Sequence, residues 1–138
     1  GLPFAPIDPM TDQTRDFLVI SRGQWDADAS PQAIQGAIDG FYDWFEAHVA
    51  AGRMRGGSRL GPAGATVTRK GIITDGPFGE TKELIGGFWV VSAPTLEQAA
   101  QLLAESPTVA LGIFYEVRPL DAQRATATMQ ATETAGRR

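Results

Sequence analysis

The arrangement of the chain is decided by one stretch, which reads Thr74-Asp75-Gly76-Pro77-Phe78-Gly79-Glu80-Thr81-Lys82-Glu83 and continues Leu84-Ile85-Gly86-Gly87-Phe88-Trp89-Val90-Val91. The apolar pair before it stops at Asp-Gly-Pro, and an apolar strand leaves through Gly-Gly. Gly admits a positive φ and Pro fixes its own φ near about −65°, so the sequence predicts a turn here. A turn rich in charged residues, held between two apolar strands, is a candidate site.

The segments on either side of this stretch predict strands. Asp16 to Arg22 and Ile85 to Ala93 are apolar on both faces, which is typical of central strands. Met54 to Leu60 carries Gly56-Gly57 and predicts a kinked or bulged strand. The stretch from Ala65 to Thr74 predicts a small hairpin that turns at Lys70-Gly71. Leu111 to Arg118 alternates between apolar and polar residues and predicts the last strand.

Two helices are expected between these strands. Ser30-Pro31 supplies an N-cap and a first helical residue, and the helix is predicted to run to about Ala51. The second is predicted to start at Pro94-Thr95, with Thr95 and Gln98 as a capping box, and to end at Ser106-Pro107. At about 100° per residue, the predicted buried stripe of the first helix comprises Ile34, Ile38, Phe41, Phe45 and Val49.

The element order β-α-β-(hairpin)-β-α-β predicts an α+β, ferredoxin-like fold of the dimeric α+β barrel type. Its antiparallel sheet carries two helices on one face and an inserted β-hairpin. Because the predicted central strands are apolar on both sides, the open face needs a cover, and a homodimer formed through the sheet faces is the simplest one. The predicted divisions are a tail over 1–15, a domain over 16–120 and a second tail over 121–138, with Met10 as the expected native start after a tag remnant.

Composition limits the classes of function. The 138 residues, 43% of them hydrophobic and 20% charged, are an ordinary composition for one globular domain. A net charge of −4 without a long basic run argues against nucleic acid and membrane surfaces as partners. The absence of Cys fits a reducing, cytoplasmic location, and one His without Cys argues against a metal site. No phosphate-loop or dinucleotide motif occurs, so we expect no cofactor.

Five segments together resemble the YCII-related family in its DGPF-domain branch. They are His48-Val-Ala-Ala-Gly52, Gly56-Gly57-Ser58-Arg59-Leu60, the Thr74 to Glu83 string, Gly86-Gly87-Phe88 and Glu116-Val117-Arg118-Pro119-Leu120. The resemblance covers roughly Phe17 to Leu120. It implies a ferredoxin-like fold, a dimer through the sheets, and a cleft in which a His and an Asp form an acid–base pair, here His48 and Asp75. Family members include a dehydrochlorinase of chlorinated aromatics and proteins encoded near extracytoplasmic-function sigma factors.

His48 and Asp75 each have two interpretations. His48 lies within the apolar stripe of its helix, so it is either a core His satisfied by a backbone carbonyl or a general acid/base at the rim of a cleft. Asp75 either caps its own Asp-Gly turn or directs its carboxylate at His48, which would raise the pKa of the ring.

The other candidate residues are charged or aromatic. Glu80, Lys82 and Glu83 form either a solvated loop or a charged gate, in which Lys82 would hold an anionic substrate. Arg59 and Arg118 end strands and form surface salt bridges or bind an anion. A third group of aromatic residues belongs to the core or an interface, or stacks on an aromatic ligand: Phe78, Trp89 and Phe114.

Two functions follow from these interpretations. The first is a cofactor-independent enzyme that acts on a small aromatic or anionic molecule, with His48 and Asp75 as the catalytic pair. Its substrate-binding residues would be Arg59, Phe78, Glu80, Lys82 and Arg118. The second is a dimeric ligand-binding or regulatory module without turnover, with a link to sigma-factor-dependent transcription.

Overall fold

The computed structural model describes residues 13–74 and 84–128. The strands are β1 (Arg15–Gly23), β2 (Met54–Arg59), β3 (Ala65–Thr68), β4 (Gly71–Thr74), β5 (Leu84–Ala93) and β6 (Ile113–Pro119). The helices are α1 (Pro31–Ala50) and α2 (Leu96–Leu103), and a 3-10 turn, Val109–Leu111, precedes β6. The turn from Asp75 to Glu83 lies outside the described residues.

Four strands form one antiparallel sheet in the order β2-β5-β1-β6. The first and last strands along the chain are therefore neighbours, and β5 lies between β1 and β2. Strands β3 and β4 form a separate hairpin in which every residue is exposed. This arrangement confirms the predicted ferredoxin-like α+β fold with an inserted hairpin.

Both helices cover the same face of the sheet. The core joins alternate residues of the strands, among them Phe17, Val19, Trp89 and Val91, to Ala99 and Leu103 of α2. Aromatic residues of α1 pack against this cluster. Since side chains alternate across a strand, the intervening residues of β1 and β5 lie on the opposite, uncovered face.

Helix α1 begins and ends close to the predicted positions. The Ser30 side chain accepts a hydrogen bond from the Ala33 amide at 3.0 Å, and Pro31 is the first helical residue. Thr95 caps α2 in the same way through the Gln98 amide at 3.1 Å. The N-caps therefore act as the sequence predicted.

One part of the helix prediction was wrong. Val49 was expected in the buried stripe of α1, but 42% of its surface is exposed. The face that packs on the sheet instead contains Ala37, Phe41, Trp44 and Phe45. At about 100° per residue, Val49 lies at one edge of the stripe, beyond Phe45, whereas Ala37 and Trp44 lie on the other side of Phe41, so the buried face is rotated toward Trp44.

Strand β2 contains the predicted bulge. Arg55 pairs with Val90 and Ser58 pairs with Phe88, so two glycines, Gly56 and Gly57, stand opposite the single residue Trp89. Both glycines have a positive φ, of 67° and 89°. An insertion of one residue reverses which face the following residues point to, and this reversal decides where Arg59 lies.

Candidate binding cleft

A cleft of about 750 Å³ lies between α1 and the sheet. This volume falls within the roughly 300–1,000 Å³ that small-molecule sites occupy. The sides are largely aromatic, with Phe41, Tyr42 and Phe45 from α1 facing Trp89 and Tyr115 from the sheet. We call this space the α1 cleft.

Four of the residues that line the α1 cleft lie in one row across the sheet. Gly87 of β5 pairs with Arg59 of β2 on one side and with Ser21 of β1 on the other, and Ser21 pairs in turn with Tyr115 of β6. All four residues line the cleft. Directly paired residues share a face of a sheet, so this row lies on the helix side, one step beyond Trp89.

Arg59 reaches this row only because of the bulge. Met54 faces the core and lies five positions before Arg59, so in a regular strand the two residues would point to opposite faces. The extra residue at Gly56-Gly57 places Arg59 on the same face as Met54. Arg59 is exposed and makes no ion pair with a described residue, which leaves its guanidinium available to an anion.

Arg118, the other predicted anion-binding arginine, lies elsewhere. It belongs to β6 on the uncovered face and forms an ion pair with Glu116, which also pairs with Arg22. Arg118 does not line the α1 cleft. Its environment is the surface salt bridge that the sequence allowed as one of two interpretations.

His48 lies in the last turn of α1, one turn beyond Phe45. Its side chain is 12% exposed, and its Nδ1 accepts a hydrogen bond from Arg53 Nε at 2.8 Å. Its Nε2 lies 3.9 Å from Glu105 Oε1, and its ring packs edge-on against Trp44. The first of the two predicted interpretations named a backbone carbonyl as the partner of the ring, but the partner of Nδ1 is the Arg53 side chain.

These contacts fix the state of the ring. Burial lowers the pKa of His48, the Arg53 charge lowers it further, and Glu105 opposes both. The neutral ring is therefore favoured. An Arg guanidinium only donates, so Nδ1 must hold the lone pair and Nε2 the proton. In this arrangement the lone pair that a general base needs is already bound to Arg53.

The remaining predicted site residues cannot be brought into this geometry. Asp75, Phe78, Glu80 and Lys82 lie outside the described residues, as does Glu83. That the Asp75 carboxylate is directed at the His48 ring stays a prediction. Within residues 13–74 and 84–128 there is no group of three or more His, Cys, Asp or Glu residues that could hold a metal ion.

Several residues of the cleft were not predicted as site residues. Phe41 and Phe45 were expected in the core, and Ser21, Thr108 and Tyr115 were not assigned a role. Two glycines, Gly86 and Gly87, were noted only as a strand signal, although both line the cleft. Which of these residues lie side by side depends on how the strands pair, and strand pairing is a tertiary property. The Gly56-Gly57 pair, which indicates the bulge in β2, was the one local signal of that pairing.

Comparison with known proteins agrees with this structure. The sequence model of the YCII-related domain matches residues 17–121. The chain belongs to the YCII-related family. An uncharacterized protein of Rhizobium meliloti (strain 1021) is 34% identical over 82 residues, which cover 53% of this chain and 64% of that relative.

The family match confirms the resemblance that the five segments indicated. The DGPF branch stays a prediction, since the matching model is that of the YCII-related domain as a whole. In the part of this YCII-related chain that the structure describes, no helix has the length and apolar character needed to cross a membrane.

Proposed function

We propose that this protein binds a small aromatic anion in the α1 cleft. The observation that carries the proposal is the row of Arg59, Gly87 and Ser21 beneath the aromatic residues of α1. An apolar site with a few converging polar groups is the usual form of a small-molecule site. Here the aromatic side chains supply the burial of the ligand, and Arg59 supplies the charge that selects an anion.

The contacts of His48 favour binding without turnover over acid–base catalysis. Catalysis by His48 and Asp75 requires Arg53 to leave Nδ1, and it requires the ring to meet a substrate although His48 is not among the residues that line the cleft. The enzyme hypothesis therefore stays a prediction of the resemblance. So does the link to sigma factors, in which ligand binding would serve as a regulatory signal.

A matched pair of arginine variants tests the proposal. We expect Arg59→Gln to weaken the binding of biphenyl-4-carboxylate by about 10- to 150-fold, because a hydrogen bond to a charged group contributes roughly 1.5–3 kcal/mol. Arg118→Gln removes the same charge on the uncovered face and should leave the affinity unchanged. Isothermal titration calorimetry of the three proteins measures both effects. Equal losses in the two variants would show that net charge, and not the cleft, attracts the anion.

We further propose that a second copy of this chain covers the open face of the sheet. Leu18 and Val90 pair across β1 and β5 at its centre, and nearby Phe88 and Phe114 remain 38% and 45% exposed. In an isologous dimer this apolar strip would pack against the same strip of the second chain.

The charged groups beside the strip are compatible with such a dimer. Arg55 donates to Asp16 at 2.7 Å and lowers the pKa of that carboxyl, and Arg22 and Arg118 pair with Glu116. Each cluster combines arginine with a carboxylate, so repulsion between like charges of the two copies is reduced.

The dimer is tested by mass. Sedimentation velocity should give twice the 14.7 kDa chain mass. Val90→Lys should give the monomer, because it would bury an unpaired ammonium group at the centre of the interface. Ile72→Lys on the exposed hairpin is the control and should leave the dimer intact. A monomeric wild-type protein at micromolar concentration would contradict this part of the proposal.

A further inference from the structure

A closed ring of three hydroxyl groups lies at the β6 side of the α1 cleft. Ser106 Oγ is 3.0 Å from Thr108 Oγ1 and 2.8 Å from the Tyr115 hydroxyl, and Thr108 Oγ1 is 2.7 Å from that hydroxyl. Ser106 and Thr108 are 3% and 6% exposed. We call this cluster the hydroxyl ring. Ser106 follows α2, Thr108 precedes the 3-10 turn, and Tyr115 belongs to β6, so three separate elements build it.

The ring uses all of its own hydrogens. Each hydroxyl group has one hydrogen to donate and two lone pairs to accept with. Three contacts join the three oxygens, so each oxygen donates once and accepts once when the ring is closed. The positions that remain on the oxygens are lone pairs. A further partner must therefore donate a hydrogen, unless the ring opens.

Burial keeps the ring in its neutral form. It raises the pKa of Tyr115 above the ordinary value for a phenol, against the smaller effect of the hydrogen bonds with Ser106 and Thr108. The Tyr115 ring packs edge-on against Trp89 with the centroids 5.3 Å apart, which fixes the position of the hydroxyl. Both the protonation state and the orientation of Tyr115 are thus set before a ligand arrives.

The hydroxyl ring and Arg59 lie on opposite sides of the cleft. Thr108 and Tyr115 line it, and Tyr115 is in the same row as Arg59. Three strand spacings separate the two backbones, or roughly 14 Å at about 4.8 Å each. The space between them is bounded by Gly87, Ser21 and the aromatic residues of α1. A ligand held by Arg59 therefore extends its other end toward the hydroxyl ring.

We propose that the hydroxyl ring selects ligands that carry a hydrogen-bond donor at the end opposite their anionic group. The ligand class is an elongated aryl carboxylate with a hydroxyl or amino substituent. This inference rests on the proposed function of the α1 cleft and adds the identity of its second polar end. Tyr115 and Thr108 are then specificity-determining residues.

The experiment compares two probes with the same biphenyl carboxylate framework and the same charge. They are 4′-hydroxybiphenyl-4-carboxylate, which donates at its far end, and 4′-methoxybiphenyl-4-carboxylate, which does not. In the wild-type protein we expect the hydroxy probe to bind about fivefold more tightly, the effect of one net hydrogen bond. Calorimetric titration gives the ratio of the two dissociation constants.

Two variants test whether the hydroxyl ring causes this difference between the two dissociation constants. Tyr115→Phe keeps the aromatic ring that packs on Trp89 but removes the hydroxyl group, and it should bring the ratio of the two dissociation constants to about one. Thr108→Val has nearly the same shape as Thr and breaks the ring while keeping the Tyr115 hydroxyl. It frees a hydrogen, so the methoxy oxygen can now accept and the ratio should fall. The unfolding temperature of each variant shows that it is folded at the temperature of the titration.

The outcomes separate this inference from the function on which it rests. If both probes bind equally to the wild-type protein, the α1 cleft binds aromatic anions but the hydroxyl ring does not select among them, and the inference is overturned. If the ratio persists in Tyr115→Phe and Thr108→Val, another group reads the donor and the assignment to the ring is overturned. If neither probe binds, the proposed function is wrong and the inference falls with it.

Discussion

Replacing Gly57 by Ala should destabilise the protein by more than about 3 kcal/mol, while the same change at Gly56 should cost about 1–2 kcal/mol. Both glycines lie in the bulge of β2 with a positive φ, so both variants pay the conformational penalty of a left-handed residue. They differ in what the new methyl group meets.

The difference is one of space. A Cβ atom on Gly57 would lie 2.0 Å from the Phe88 carbonyl oxygen and 2.7 Å from the Trp89 Cβ, so the backbone of β5 would have to move. A Cβ atom on Gly56 would meet no heavy atom within 4 Å. Gly56→Ala is therefore a matched control that carries the conformational penalty alone.

Urea denaturation followed by circular dichroism measures the two free energies of unfolding. A Gly57→Ala protein that fails to fold beside a folded Gly56→Ala protein agrees with the prediction. Equal losses in the two variants would show that the close approach of β2 and β5 is not needed, and the placement of Arg59 through the bulge would lose its basis.

The strands and helices could be predicted because their signals are local. The Ser30 and Thr95 caps, the two-sided apolar strands and the alternation of β6 each follow from residues that are near in sequence. Even the bulge was indicated by Gly56-Gly57. The consequence of the bulge, that Arg59 faces the helices, was missed. A one-residue insertion reverses the face of Arg59 relative to the partner strand β5, and the sequence does not state how β2 and β5 are paired.

The site was predictable only in part for the same reason. Arg59 was named as a candidate from its residue type and its position at a strand end, and it lines the cleft, yet Arg118 satisfied the same description and lies on the other face. Ser106 was interpreted only as the end of a helix, although its hydroxyl meets Tyr115 from another element. The partner of His48 is Arg53, five residues away across the end of α1, where helical periodicity no longer applies.

Filling the α1 cleft should weaken binding strongly without harming the fold. Gly86 lines the cleft, and a Cβ atom there would lie 3.8 Å from Ser21 Oγ, which is an ordinary van der Waals contact. The pairing of β1 with β5 shifts by one residue between Ser21 and Arg22, so Gly86 is an extra residue beside Gly87 that escapes the regular alternation. A larger side chain at this position therefore extends into the space beside Ser21 Oγ, on the helix side of the sheet. Gly86→Leu should weaken the binding of biphenyl-4-carboxylate by more than about tenfold, since overpacking a fitted site costs roughly 1–3 kcal/mol. Gly86→Ala should have a smaller effect.

Gly86 is a better place for this change than its neighbour Gly87, where a side chain would clash with the backbone. A Cβ atom on Gly87 would lie 2.8 Å from the Ser58 carbonyl oxygen and would disturb the pairing of β2 and β5. The unfolding temperature of Gly86→Leu should stay close to that of the wild-type protein, which separates loss of the cleft from loss of the fold.

Calorimetric titration of biphenyl-4-carboxylate into wild-type, Gly86→Ala and Gly86→Leu proteins is the most direct measurement of whether the space between α1 and the sheet is the binding site. The α1 cleft predicts one site per chain, with an affinity that falls as the side chain at position 86 grows. Binding that is unchanged in Gly86→Leu would place the ligand elsewhere on the molecule and contradict the account.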